Sequence, residues 1–223
     1  MGKRMNAGKN KVFLSLGKRP VIFYTIDAFE KNPDIKKIIL VTKEGEIVDF
    51  QKLSEKYNFK KIKAIIAGGK ERQDSAYNAL KYLEKEMSKK NKTVAIFHNG
   101  ANPFITKQEI SRCIGEAKKH GACAVAHPTK DTVKEVSEKG LVIRTLERKK
   151  LWNMQTPQAI QFNLAIKAFS KASRDNFLGT DDVSLVERLG GKVKIIEGSS
   201  NNFKITTPID IKLAKIIIRN YEF

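Results

Sequence analysis

The chain has 223 residues, 41% of them hydrophobic and 30% charged. That is the make-up of a soluble globular protein of one large domain or two small ones, and it excludes a collagen, a wholly disordered chain and a disulfide mini-scaffold. A net charge of +19, from 34 lysines and 9 arginines against 24 acids, is spread over scattered lysine pairs. It reads as a general basic surface rather than a nucleic-acid footprint, and it sets up a field that draws in anionic small substrates.

Helical and strand patterns alternate along the sequence. Pro20 to Lys31 is predicted as a helix with Ile22, Ile26 and Phe29 on one face, followed by a buried strand over Lys37–Thr42. A helix over Glu44–Tyr57 and a strand over Ile62–Ala67 come next, then a helix over Ser75–Met87 and a strand over Thr93–His98. Thr106 with Glu109 three residues on is a capping box that starts a helix running to His120, and a strand follows at Ala122–Ala126. Strands alternating with helices predict an α/β three-layer domain with a largely parallel sheet.

The rhythm then changes. Thr132–Val136 and Leu141–Leu146 alternate apolar and polar residues around a Glu138-Lys139-Gly140 turn, which predicts a β-hairpin arm over about 130–150, placed to reach a partner subunit. A helix is expected at Asn163–Ser173, and another starting at Thr180, with Asp181 and Asp182 in its first turn. Val193–Glu197 and Phe203–Thr206 read as strands, and a last helix starts at Thr207-Pro208. A domain of this kind usually opens with a buried strand that leads into its first glycine turn, whereas this sequence starts inside the turn. Two cysteines, Cys113 and Cys123, are too few for a structural zinc site and are expected as free thiols. No run approaches the roughly 18 apolar residues of a membrane span. The first residues lack the apolar stretch of a secretory signal. A cytoplasmic protein is expected.

The chemistry-bearing segments are cations and glycines at strand ends. Gly2-Lys3-Arg4 with Lys9 and Lys11 is a possible anion cradle or simply a basic terminus. Gly68-Gly69 through Ser75 lies between a strand and a helix, a place for a phosphate or ligand edge, or a plain left-handed turn. His98-Asn99-Gly100 and Lys204 also fall at strand ends, and Asp181 and Asp182 are either helix-dipole partners or metal ligands. Three histidines without metal spacing, and no serine in a nucleophile elbow, argue against histidine or serine catalysis. What remains suits phosphoryl or nucleotidyl transfer, in which positioning and charge neutralisation lower the barrier.

Taken in order, these segments resemble the 2-C-methyl-D-erythritol 4-phosphate cytidylyltransferase family. The resemblance rests on Gly2-Lys3-Arg4-Met5 with Lys11, Gly68-Gly69 with Glu71-Arg72-Gln73 and Ser75, and Lys130-Asp131-Thr132. It continues with Arg148 and Leu151-Trp152, Gln155-Thr156-Pro157-Gln158, Thr180-Asp181-Asp182, and Lys204-Ile205-Thr206-Thr207-Pro208. It implies a Rossmann-like nucleotidyltransferase domain spanning residues 1–223 that joins CMP from CTP to a polyol phosphate with Mg²⁺, as a homodimer through the arm. By position, Gly2, Lys3, Arg4 and Lys11 would line the triphosphate, with Arg4, Lys11 and Lys204 catalytic. Gly69, Arg72 and Ser75 would border cytosine and ribose. Thr132 and Arg148 of a partner's arm, with Thr156, Thr180 and Thr206, would bind the sugar phosphate.

The family's strand-end motif has Asp and, three residues later, Arg, where this chain has Asn99 and Asn102. Asn99 is thus the expected metal position, with a neutral oxygen that is a poorer ligand for a hard dication. Two alternatives stand beside the main reading. One is the related ribitol-5-phosphate cytidylyltransferase, which shares the Gln-Thr-Pro-Gln and Lys-Ile-Thr-Thr segments. The other is a catalytically impaired nucleotide-binding homologue, suggested by Asn99, Asn102 and the absent first strand.

Overall fold

The computed structural model describes residues 10–86 and 93–219. Strands β1 (Ser15–Leu16) and β2 (Arg19–Pro20) pair around Gly17, whose φ of +66° lies in the left-handed region that glycine enters without a side-chain clash. Helix α1 (Val21–Glu30) follows Pro20 directly, as the fixed φ of proline favours. Strand β3 (Ile38–Thr42), helix α2 (Ile47–Tyr57) and strand β4 (Ile62–Ala67) form a β-α-β unit with its strands parallel. Helix α3 (Arg72–Glu86), strand β5 (Val94–Phe97), helix α4 (Lys107–His120) and strand β6 (Ala122–Pro128) continue the alternation. The capping box is formed: Glu109 N–H donates to Thr106 Oγ1 at 3.2 Å and Thr106 N–H to Glu109 Oε2 at 2.8 Å. The hairpin arm is β7 (Lys134–Val136) with β8 (Val142–Thr145). Strand β9 (Trp152–Gln161), helix α5 (Phe162–Arg174), short helix α6 (Ser184–Arg188), strand β10 (Val193–Glu197) and helix α7 (Pro208–Arg219) complete the order.

Among the described residues the strands form a four-stranded sheet, β10-β6-β9-β5, and a separate parallel pair, β3-β4, besides the two small hairpins. Helices cover both faces. Phe162, Phe169, Leu80 and Leu185 pack under α3, α5 and α6, while Cys113 and Ala117 of α4 pack on Cys123, Val125 and Ile196. Both cysteines are buried free thiols. A further cluster joins Leu16, Phe23 and Tyr24 with Phe50 of α2, and with Ile205 and Ala214 near the chain's end.

Three expectations are corrected. The sheet is not largely parallel, because β9, unforeseen as a strand, runs antiparallel between β5 and β6. Pro157 cannot donate to a ladder, and the register steps from Ala124↔Gln158 to Ala126↔Met154, so Gln155, Thr156 and Pro157 bulge out of the pairing at the one place where proline is tolerated. The helix expected from Thr180 begins a turn later at Ser184. Asp181 Oδ1 accepts the Ser184 N–H at 2.9 Å, while Asp182 turns inward. Phe203–Thr206 is not a strand, because its neighbour is the loop after β5, where Ile205 N–H finds only Ala101 O at 2.9 Å.

Candidate active site

The segments that follow β4 and β5, the bulge of β9 and the stretch before α7 surround a cleft of about 590 Å³. The turn after β4 needs its two glycines for close approach, not for a left-handed bend. A Cβ on Gly69 would lie 2.3 Å from Asp74 Cβ, and one on Gly68 would lie 2.6 Å from Ser75 Oγ. The turn therefore folds flat onto the start of α3 and brings Arg72 to the cleft. Arg72 Nε donates to Asn99 Oδ1 at 3.0 Å, and its Nη2 pairs with Asp182 Oδ2 at 2.5 Å. Asp182 is 1% exposed. Burial pushes its carboxyl above the usual range, and the Arg72 guanidinium opposes that rise.

Gln158 of β9 holds this side of the cleft together. Its Oε1 accepts the N–H groups of Asp182 at 2.9 Å and Val183 at 3.1 Å, and its Nε2 donates to Asp181 Oδ2 at 2.8 Å. Across the cleft, Thr156 Oγ1 accepts from the backbone N–H of Asn99 at 3.3 Å. Lys204 lines the far wall. Burial, and then the positive charges of Lys11 and Arg72, hold its ammonium below the usual lysine pKa. That places Lys11 electrostatically at the cleft although it does not line it. His98, at the end of β5, has its pKa lowered to about 4, chiefly by burial. It is a neutral ring whose Nε2 contacts Asn102 O at 2.9 Å. The site gathers Arg72, Lys204 and several neutral hydrogen-bonding groups, with one carboxylate, Asp181, whose oxygens accept from Gln158 and Ser184.

The sequence matches the 2-C-methyl-D-erythritol 4-phosphate cytidylyltransferase (IspD) family over residues 1–220. The chain belongs to that family. A Bacillus cereus protein of that name is 45% identical over 218 residues, covering 98% of this chain and 93% of the relative. The crystal structure of 4-diphosphocytidyl-2C-methyl-D-erythritol synthase from Anaerococcus prevotii matches with a TM-score of 0.86 at 29% identity, over 97% of this chain and 93% of that one. The family enzyme from Thermus thermophilus matches with a TM-score of 0.75 at 27% identity, over 94% of each chain.

Of the residues that the cytidylyltransferase resemblance selects, Arg72, Asn99, Thr156, Thr180 and Lys204 line the cleft together. Gly2, Lys3 and Arg4 lie outside the described residues. Gly69 and Ser75 shape the turn rather than line the cleft: Ser75 Oγ accepts from Gly69 N–H at 3.1 Å and donates to Glu71 O at 3.1 Å. Thr206 faces away, with its hydroxyl on Asp210 Oδ2 at 2.9 Å. Thr132 and Arg148 sit exposed on the arm, outside this chain's own cleft. Gln158 and Asn202 were not singled out as site residues by spacing, and Asp182, read as a helix-dipole partner or a metal ligand, is instead the buried partner of Arg72. Their roles depend on partners far away in the chain, and only the Gln-Thr-Pro-Gln segment hinted at the first.

The donor set does not fit a protein-held Mg²⁺. Asn99 Oδ1 already accepts from a guanidinium. Asp181 Oδ1 accepts from Ser184 N–H and Oδ2 from Gln158 Nε2, and Asp182 is paired with Arg72. Among the described residues no group of three or more His, Cys, Asp or Glu side chains is placed to hold a metal ion. Asn99, the expected metal position, has Arg72 as the partner of its Oδ1 in this structure.

Proposed function

We propose that this cleft performs the reaction for which the family is named. The phosphate oxygen of 2-C-methyl-D-erythritol 4-phosphate attacks the α-phosphorus of CTP. A new P–O bond forms, the bond between the α-phosphorus and the bridging oxygen breaks, and pyrophosphate leaves with that electron pair. The second pKa of a phosphate monoester is about 6, so the nucleophile is already ionised near neutral pH and needs no general base. His98, at the end of β5, is buried and neutral. The barrier is the repulsion of two anions, which fixed cations lower. Lys204 and Arg72, converging on the cleft from segments 132 residues apart, are the observation that carries the reading. Lys204 holds phosphate oxygens, Lys11 adds positive potential, and Arg72 fixes Asn99 beside Thr156.

The arm belongs to a second copy's site. Val136, Leu141, Val142 and Ile143 are all more than half exposed on it, and such a run of apolar surface fits a protein interface. A homodimer would bring Thr132 and Arg148 to the partner's cleft. Buried free thiols at Cys113 and Cys123 suit a cytoplasmic enzyme. Among the described residues no helix is long and apolar enough to cross a membrane.

Pyrophosphate release from CTP tests the reading, with 2-C-methyl-D-erythritol 4-phosphate and ribitol 5-phosphate as competing acceptors. Turnover with the former, and its loss in Lys204→Met, is the expected result. Preference for ribitol 5-phosphate would overturn the acceptor assignment, and no CTP turnover with either would favour a non-catalytic homologue.

A further inference from the structure

Two buried carboxamides that take no part in the chemistry proposed above tie the cleft's three segments to one another. Asn102 is 3% exposed and Asn202 is 0% exposed. Asn102 Nδ2 donates to Asn202 O at 3.2 Å, and Asn202 Nδ2 donates to Thr156 O at 2.8 Å. These bonds fix which end of each amide is nitrogen, since a carbonyl accepts only from the NH₂ group. Asn102 is itself pinned at every backbone group, for its N–H donates to Asn99 O at 3.0 Å and its C=O lies 2.9 Å from His98 Nε2. Three residues on from Asn202, Ile205 N–H donates to Ala101 O at 2.9 Å. Lys204 thus stands between two points bolted to the loop after β5, and that loop also holds Asn99 against Thr156.

We infer that Asn102 is a positioning residue for Lys204, acting through Asn202 as a strut that sets the distance between the lysine and the Asn99–Thr156 wall. Asn102 borders the cleft, and its amide nitrogen is committed to Asn202 O. A long charged side chain at this buried position on the cleft wall would reach past Asn202 O and break that bond. The arginine that the family motif carries there would therefore not improve this chain. The inference rests on the reading of Lys204 as a phosphate ligand.

A double-mutant cycle on the full chain tests it, with kcat/KM for CTP read from pyrophosphate release and melting temperature followed alongside. Lys204→Ala alone must lower kcat/KM; no loss would overturn the reading of Lys204 and this inference with it. Misplacement of a catalytic group by about 1 Å costs on the order of 100-fold. Asn102→Ala is therefore expected to lower kcat/KM about 10- to 100-fold when Lys204 is present. In the Lys204→Ala background the loss should be less than about threefold, the non-additivity of two residues that act as one. The loss should fall mainly on kcat, because the lysine is present but misplaced. Equal losses in both backgrounds would overturn the inference, as would a gain of activity in Asn102→Arg. If Asn102→Ala does not fold, Asn102→Ser keeps a hydroxyl donor there and the cycle is run on it. An unfolded Asn102→Ser would also overturn the inference, making Asn102 a folding residue only.

Discussion

His98 makes a pH-dependent contribution to stability that can be isolated. Its Nε2 faces Asn102 O at 2.9 Å, its Nδ1 is buried with no partner among the described residues, and the Phe29 ring lies 4.9 Å away. Protonation would place a charge and an unpaired N–H in that setting, with Arg72 adding repulsion, so the folded pKa falls to about 4 from 6.5. A base with a depressed folded pKa binds more protons when unfolded. Its contribution is present in full above pH 6.5 and is lost as pH falls toward 4. The gap corresponds to roughly 3 kcal/mol at about 1.4 kcal/mol per unit, and most of it, about 2.5 kcal/mol, is gone by pH 4.5. His98→Gln keeps an NH₂ near Nε2 and removes the titration. Urea unfolding at pH 7.5 and 4.5 should show the wild type losing about 2.5 kcal/mol more than His98→Gln over that interval. Equal losses in the two proteins would mean that His98 is protonated in the folded state, and the burial argument would fail.

Two further outcomes follow from the geometry. Asp182→Asn leaves Arg72 without its carboxylate. Breaking a buried pair costs about 3–5 kcal/mol. The Arg72 side chain is 35% exposed, which sets the expected loss near the lower end, about 3 kcal/mol by denaturant unfolding; a loss under about 1 kcal/mol would show that water already screens the pair. Val142→Asp places a charge in the apolar face of the arm, where Val142 is 59% exposed. Sedimentation should show the proposed homodimer weakened about 10- to 100-fold, the equivalent of one valine's burial, with turnover falling in step. A monomer of full activity would remove the arm from the site.

Legibility differed by element for physical reasons. The strands over Ile38–Thr42, Ile62–Ala67, Val94–Phe97 and Val193–Glu197 were plain, because each is a short run dominated by Val, Ile and other apolar residues. β9 was hidden, because Asn153, Gln155 and Gln158 break the apolar pattern and Pro157 argues against a central strand. Only the bulge, a tertiary feature, reconciles the proline with the sheet. Arg72, Thr156, Thr180 and Lys204 were recovered as an ordered set by resemblance, and the fold then brought them together. Asp182 misled because two acids after a threonine have the pattern of a helix start. Its true partner, Arg72, lies 110 residues away, a separation that no local signal spans.

The same pair changes how Asn99 is understood. By resemblance alone, an amide where an aspartate is expected reads as a lost ligand. In the folded chain the guanidinium of Arg72, at the cleft wall, already has a carboxylate in the buried Asp182. An aspartate at position 99, bonded to the same guanidinium, would stand roughly 5 Å from Asp182. At an effective dielectric constant near 20 that is about 3 kcal/mol of repulsion, set against an attraction to Arg72 that Asp182 already shares. A neutral carboxamide accepts from Arg72 Nε without that repulsion, and its Nδ2 approaches Thr156 Oγ1 at 3.4 Å. Residue 99 is neutral here and residue 182 carries the carboxylate, and the electrostatics of the cleft follow from the pair rather than from either position read alone.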